Sequence, residues 1–165
     1  MKHTHVMSAT VAAVLALALI SAPQSASAAT GTASIAVSTT VANTCTFTNG
    51  TLTFGAYTGV VDNATGTFTV NCTNNADYSI ALNKGAGTGA TITTRQMMNG
   101  TYSLGYTINT TAGGGTIWGD GTTGSTVSGV GTGSAQTISV FGVIPAGETA
   151  ISGSYTDTIT ATVTY

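Results

Sequence analysis

The sequence has little charge. Only 5% of its 165 residues are Asp, Glu, Lys or Arg, against about 25% in ordinary soluble proteins. That is too few for a nucleic-acid binder, a coiled coil or a charged disordered tail. Proline occurs twice and tryptophan once. The two histidines are His3 and His5, at the very start of the chain. The rest therefore lacks the commonest general base and the commonest metal ligand. No paired-carboxylate motif stands out either, so the sequence points away from an enzyme and calls for no cofactor. No segment sustains a helical period.

What is present is glycine, 22 residues, and threonine, about a fifth of the chain. The glycines have no G-X-Y period, which excludes collagen. Threonine favours strands. The first residues read as an address: Lys2, an uncharged apolar run from Val11 to Ile20, then Ala26-Ser27-Ala28. This is the pattern of a secretory signal peptide cut after Ala28. The run is about half the roughly twenty residues that a spanning helix needs. The chain beyond it carries two cations, Lys84 and Arg95, and five acids.

Cys45 and Cys72 are the only cysteines. An even count in an oxidising compartment predicts one disulfide. It closes a loop of about 28 residues, worth roughly 3.5 kcal/mol in the chain-entropy account.

Alternation with period two recurs from end to end. Ala33, Ile35, Val37 and Val41 share a face, with Thr39 between the last two. Leu52 and Phe54 follow the turn signal Asn49-Gly50. Phe68, Val70 and Cys72 share a face, and so do Tyr78, Ile80 and Leu82. Asn99-Gly100 between two strand-like runs, Thr91–Met98 and Thr101–Asn109, predicts a type I′ hairpin. Ile138 and Val140 mark another strand, and Tyr155, Ile159, Ala161, Val163 and Tyr165 mark the last. Strands separated by glycine-rich turns predict an all-β, immunoglobulin-like sandwich. Periodicity leaves two places for residues 29–43. They form the first strand of their own sandwich, or they complete a neighbouring copy by strand addition.

Several stretches resemble the spore coat protein U domain family, which includes subunits of archaic, Csu-type chaperone–usher pili. They are Cys45-Thr46-Phe47 with Leu52-Thr53-Phe54-Gly55; Phe68-Thr69-Val70-Asn71-Cys72; Tyr78-Ser79-Ile80-Ala81-Leu82; Arg95-Gln96-Met97; Leu104-Gly105-Tyr106; Trp118-Gly119-Asp120-Gly121; Phe141-Gly142-Val143-Ile144-Pro145; and Gly153-Ser154-Tyr155-Thr156-Asp157 through Val163-Thr164-Tyr165. The resemblance implies an incomplete immunoglobulin-like sandwich completed by donor-strand exchange. After the signal peptide over residues 1–28, it implies a donor segment over 29–43 and a sandwich domain over 44–165. Ala33, Ile35, Val37, Thr39 and Val41 become donor positions, and Ile159, Ala161 and Val163 line the acceptor groove. The implied partners are copies of the chain itself, a periplasmic chaperone and an outer-membrane usher. The implied destination is a surface pilus that serves adhesion and biofilm formation. One domain with a donor-like segment resembles a shaft subunit rather than a two-domain tip adhesin. A spore or cyst coat matrix protein and a carbohydrate- or surface-binding adhesin module are the alternatives.

Other features have plainer readings. Gly85-Ala86-Gly87-Thr88-Gly89-Ala90 matches a dinucleotide loop in form, but β-prone residues follow where a helix is required. Asp120 lacks the D-x-D-x-D spacing of a calcium loop and reads as a turn residue. Trp118 with Tyr102 and Tyr106 offers a sugar-stacking platform, or core aromatics. Lys84 and Arg95 read as surface cations able to pair with Asp77 or Asp120.

Overall fold

The computed structural model describes residues 26–165. The leader read over residues 1–28 lies outside them, save its last three residues. The chain divides into two units, residues 1–38 and 39–165. Within the first, residues 26–38 form no strand or helix and are exposed.

The second unit holds eight strands and, among the described residues, no helix. They are β1 (Cys45–Phe47), β2 (Asp62–Cys72), β3 (Asp77–Leu82), β4 (Arg95–Asn99), β5 (Tyr102–Asn109), β6 (Val127–Val130), β7 (Gln136–Ile144) and β8 (Ala161–Thr164). Two antiparallel sheets result, ordered β1-β2-β7-β5-β4 and β6-β3-β8. Each presents an apolar face to one shared core, which is what makes the pair a sandwich. Val70, Leu104, Ile108 and Ile144 come from the larger sheet; Tyr78, Ile80 and Leu82 come from β3. The period-two faces read at Phe68–Cys72 and Tyr78–Leu82 are among those that turn inward.

Cys45 and Cys72 lie directly opposite each other in the β1–β2 ladder and are bonded. The bridge pins an edge strand of only three residues. Replacing both cysteines with serine is expected to cost roughly 3.5 kcal/mol. Urea unfolding of oxidised protein and of the variant measures it.

Three expectations need correction. The Asn99-Gly100 hairpin forms, but its two loop residues are Gly100 and Thr101, because Asn99 pairs with Tyr102. Gly100 has φ +61°, and Thr101 is not among the residues of positive φ. Glycine alone in the first loop position gives a type II′ turn, not I′. Thr91–Thr94 forms a turn rather than the start of a strand. The Thr94 N–H donates to Thr91 Oγ1 at 3.0 Å, and the Thr91 N–H donates to the Thr94 carbonyl at 3.0 Å. The local hydroxyl outcompetes the strand propensity of the run.

Arg95 is the largest departure. It is not a surface cation: it is fully buried. Its Nε and Nη2 donate to the Asn83 carbonyl at 3.0 and 2.9 Å. Nη1 reaches the Ile92 carbonyl at 3.1 Å, and Nη2 reaches that of Trp118 at 2.8 Å. Burial pushes its pKa down; the nearby Tyr106 and Asp157 act in the opposite direction. Trp118 is fully buried too, its indole N–H donating to the Ile80 carbonyl at 2.9 Å. A ring with no exposed face is no sugar platform, so the core reading holds for it. Asp120 closes its own turn by accepting from the Thr122 and Thr123 N–H groups at 2.9 and 2.7 Å.

Candidate functional site: an open groove

An open groove of about 1460 Å³ runs along one side of the sandwich. Its walls are two segments that are mostly outside strands, residues 47–59 and residues 150–161. Its floor is core: Leu82, Leu104, Tyr106, Ile108 and Ile144. A groove that reaches the hydrophobic core leaves apolar surface for a partner to cover.

The first wall stays open because it is fastened at intervals. Phe54 packs edge-on against Tyr106 with ring centroids 5.9 Å apart. The Tyr57 hydroxyl donates to the Pro145 carbonyl at 2.7 Å and accepts from the Glu148 N–H at 3.0 Å. Gly142 makes room for the inward-leaning side chains: a Cβ there would stand 2.6 Å from Phe54 Cζ and 2.8 Å from Leu52 Cδ2.

The second wall is the last stretch of chain. Tyr155, Asp157, Ile159, Ala161 and Val163 are half-buried, while Thr156, Thr158, Thr160, Thr162 and Thr164 are exposed. Met98 and Thr156 exchange both backbone hydrogen bonds, at 2.8 and 3.0 Å, and the Asn83 N–H donates to the Thr160 carbonyl at 3.0 Å. Backbone polar groups alternate between the two edges of a strand. The even-numbered residues thus serve β4 and β3, and the odd-numbered ones point to the other edge, where the groove lies.

Asp157 fixes this wall. Its carboxylate accepts from the Ala86 N–H at 2.8 Å, the Thr158 N–H at 2.7 Å and the Tyr106 hydroxyl at 2.7 Å. Burial, then the bond to Asp157, raises the Tyr106 pKa far above its ordinary 10.0. The unfolded chain gives up that proton near pH 10.0, whereas the folded chain keeps it. Stability is therefore full below that pH and falls above it, by about 1.4 kcal/mol for each further pH unit. Tyr106→Phe removes this contribution to the slope. Denaturant unfolding of both proteins between pH 9 and 11 (a range of about one unit either side of the ordinary tyrosine value) should show the curves converging as pH rises.

Cys45 and Cys72 form the staple beside the groove wall. Ile159 and Ala161 line the groove. Val163 faces inward one step further along, opposite Ile80, packs against the core and is not part of the lining. Ala33, Ile35, Val37, Thr39 and Val41 lie in no strand; Ile35 and Val37 are 86% and 90% exposed. Sequence reasoning did not single out Phe54, Tyr57, Met97, Leu104 or Tyr106 as groove residues. Alternation marked several as inward-facing, but it carries no sign of which inward residues lack a cover.

Residues 31–162 match the profile of the Spore Coat Protein U domain. Protein U of Myxococcus xanthus is 34% identical over 173 residues, spanning 94% of this chain and 96% of that protein. The fold is also similar to a chain in the crystal structure of a chaperone–tip adhesion subunit pre-assembly complex from archaic chaperone–usher Csu pili of Acinetobacter baumannii. The TM-score is 0.57 at 22% identity, over 76% of this chain and 41% of that one. The present chain thus spans under half of the solved chain that it matches, and the likeness is one of fold. The chain belongs to the Spore Coat Protein U domain family.

Proposed function

We propose that this protein is a non-enzymatic structural subunit of a surface pilus, of shaft type, that polymerises by donor-strand exchange. Residues 1–28 direct export, residues 29–43 of one copy are the donor, and residues 44–165 form the acceptor body. Ala33, Ile35, Val37, Thr39 and Val41 enter the groove of the next copy. Ile159 and Ala161 receive them, with Val163 continuing the same face. The observation that carries this reading is the groove itself, open to the core beside a strand edge whose odd-numbered residues face it. An alternating apolar segment that lies in no strand supplies an occupant of the right kind. Strand addition gives main-chain bonds along the edge, and alternate side chains fill the pockets.

A periplasmic chaperone covers the groove before assembly, and an outer-membrane usher exports the subunit. The chaperone-bound subunit among the similar folds supports the first partner. Negative-stain electron microscopy of cells making the protein should show thin surface filaments. Their loss when the usher is disrupted supports the pilus. Membership of the Spore Coat Protein U domain family favours a second reading, a coat matrix protein built by the same exchange without an usher. Surface assembly that persists in the usher mutant would select it.

A further inference from the structure

The two faces that strand exchange brings together each contain one polar break. The inward row of the last stretch is Tyr155, Asp157, Ile159, Ala161 and Val163, and Asp157 is its charged member. The donor row is Ala33, Ile35, Val37, Thr39 and Val41, and Thr39 is its polar member. Glu148, the other acid in the groove, lies outside the inward row and accepts from the Gly105 N–H at 3.0 Å.

We propose that the Tyr106–Asp157 pair sets the register of the incoming strand by receiving Thr39 of a second copy. This rests on the donor-strand reading above. Directly opposed residues on neighbouring strands share a face. Two arrangements place all five donor residues opposite all five inward residues. The antiparallel one sets Thr39 opposite Asp157, Val37 opposite Ile159, Ile35 opposite Ala161, Ala33 opposite Val163 and Val41 opposite Tyr155. The parallel one sets Ile35 against Asp157 and Thr39 against Ala161.

Chemistry selects the antiparallel arrangement. A threonine hydroxyl donates to a carboxylate, which has about four lone-pair sites and uses three here. An isoleucine in that place covers the carboxylate and offers no hydrogen bond in return. Size agrees: large Ile35 meets small Ala161, and small Ala33 meets larger Val163, as facing positions in a packed layer require. Sliding the antiparallel strand by two residues brings Val37 or Val41 onto Asp157, so each neighbouring register meets the same penalty.

Inter-copy disulfide formation tests the register in the full exported chain. Directly opposed, hydrogen-bonded residues have Cα atoms about 5.5 Å apart, within disulfide reach. The double variant Ile35→Cys with Ala161→Cys should give, on oxidation, a ladder that survives heating and collapses on reduction. Thr39→Cys with Ala161→Cys reports the parallel arrangement, and Val37→Cys with Ala161→Cys reports a slipped register. A stronger ladder from either overturns the proposal. Within the Ile35–Ala161 variant, Thr39→Val should lower the cross-linked yield about tenfold, the effect of losing one charge-assisted hydrogen bond. Thr39→Ser should restore it, and equal yield from threonine and valine removes Asp157 as the determinant. Unheated, unoxidised lanes report exchange itself. A ladder there without any cysteine link means the register is wrong while exchange stands. No ladder there means that both fail.

Discussion

Replacing Ile35 and Val37 with aspartate is expected to leave the body of the protein folded and to stop it from assembling. Both side chains are almost fully exposed, at 86% and 90%. A folded body gives up no buried contact when they change. In the neighbouring copy, Ile35, Val37 and Val41 would each gain about 1.5–3 kcal/mol on burial. That is roughly 5–9 kcal/mol gross, before the cost of ordering the segment. Two aspartates remove most of that gain. They also carry two negative charges into a groove that already holds Glu148 and Asp157. Assembly, read on an unheated gel, should fall below detection. The unfolding free energy of the chaperone-released body, from urea curves, should change by less than about 0.5 kcal/mol, as for ordinary surface changes. Polymers that form despite both aspartates would remove residues 33–41 as the donor.

The largest loss of stability is expected at Arg95. Its side chain ties the end of β3, through Asn83, to Ile92 and to the Trp118 loop with four hydrogen bonds. Arg95→Ala strands three carbonyls beside a new cavity. An unsatisfied buried acceptor costs about 1–3 kcal/mol, with entering water recovering part of it. The sum expected is about 3–5 kcal/mol, a large share of a domain's total stability. Arg95→Lys should recover only part, because a point ammonium cannot span three carbonyls as a planar fork does. Urea unfolding of the three proteins decides it. A lysine variant as stable as the parent would mean that charge, not the fork geometry, is what this site needs.

Arg95 also marks the limit of what was legible in the sequence. Composition treats a lone arginine in a chain of low charge as solvent-facing, because only the three-dimensional course of the chain gathers its carbonyl acceptors. By contrast, Phe68–Cys72 and Tyr78–Leu82 were legible. Each has a period-two face with a large apolar residue at every inward step, and each found a partner strand. The disulfide followed from number and compartment. Residues 33–41 show the same periodicity, yet lie in no strand. A period of two states that one face seeks burial and is silent about where. The groove was half legible for a similar reason. The inward row from Tyr155 to Val163 was visible as alternation. Its opposing wall, residues 47–59, is held by Phe54, Tyr57 and the space left at Gly142; alternation picks out Phe54 as inward-facing but carries no sign that it borders an uncovered groove. The hairpin at Asn99 was found but its turn misassigned, since one register step decides which residues form the loop.

Exchange of strands between copies is tested most directly by a denaturing gel of the exported protein, with unheated and heated samples side by side. Strand-exchanged polymers come apart at a rate set by unfolding rather than by affinity, so they outlast detergent at room temperature. Unheated protein should give a ladder that collapses to one band on heating. Removing residues 29–41 should abolish the ladder. A single monomer band in both lanes would contradict donor-strand polymerisation and leave the groove to a different occupant.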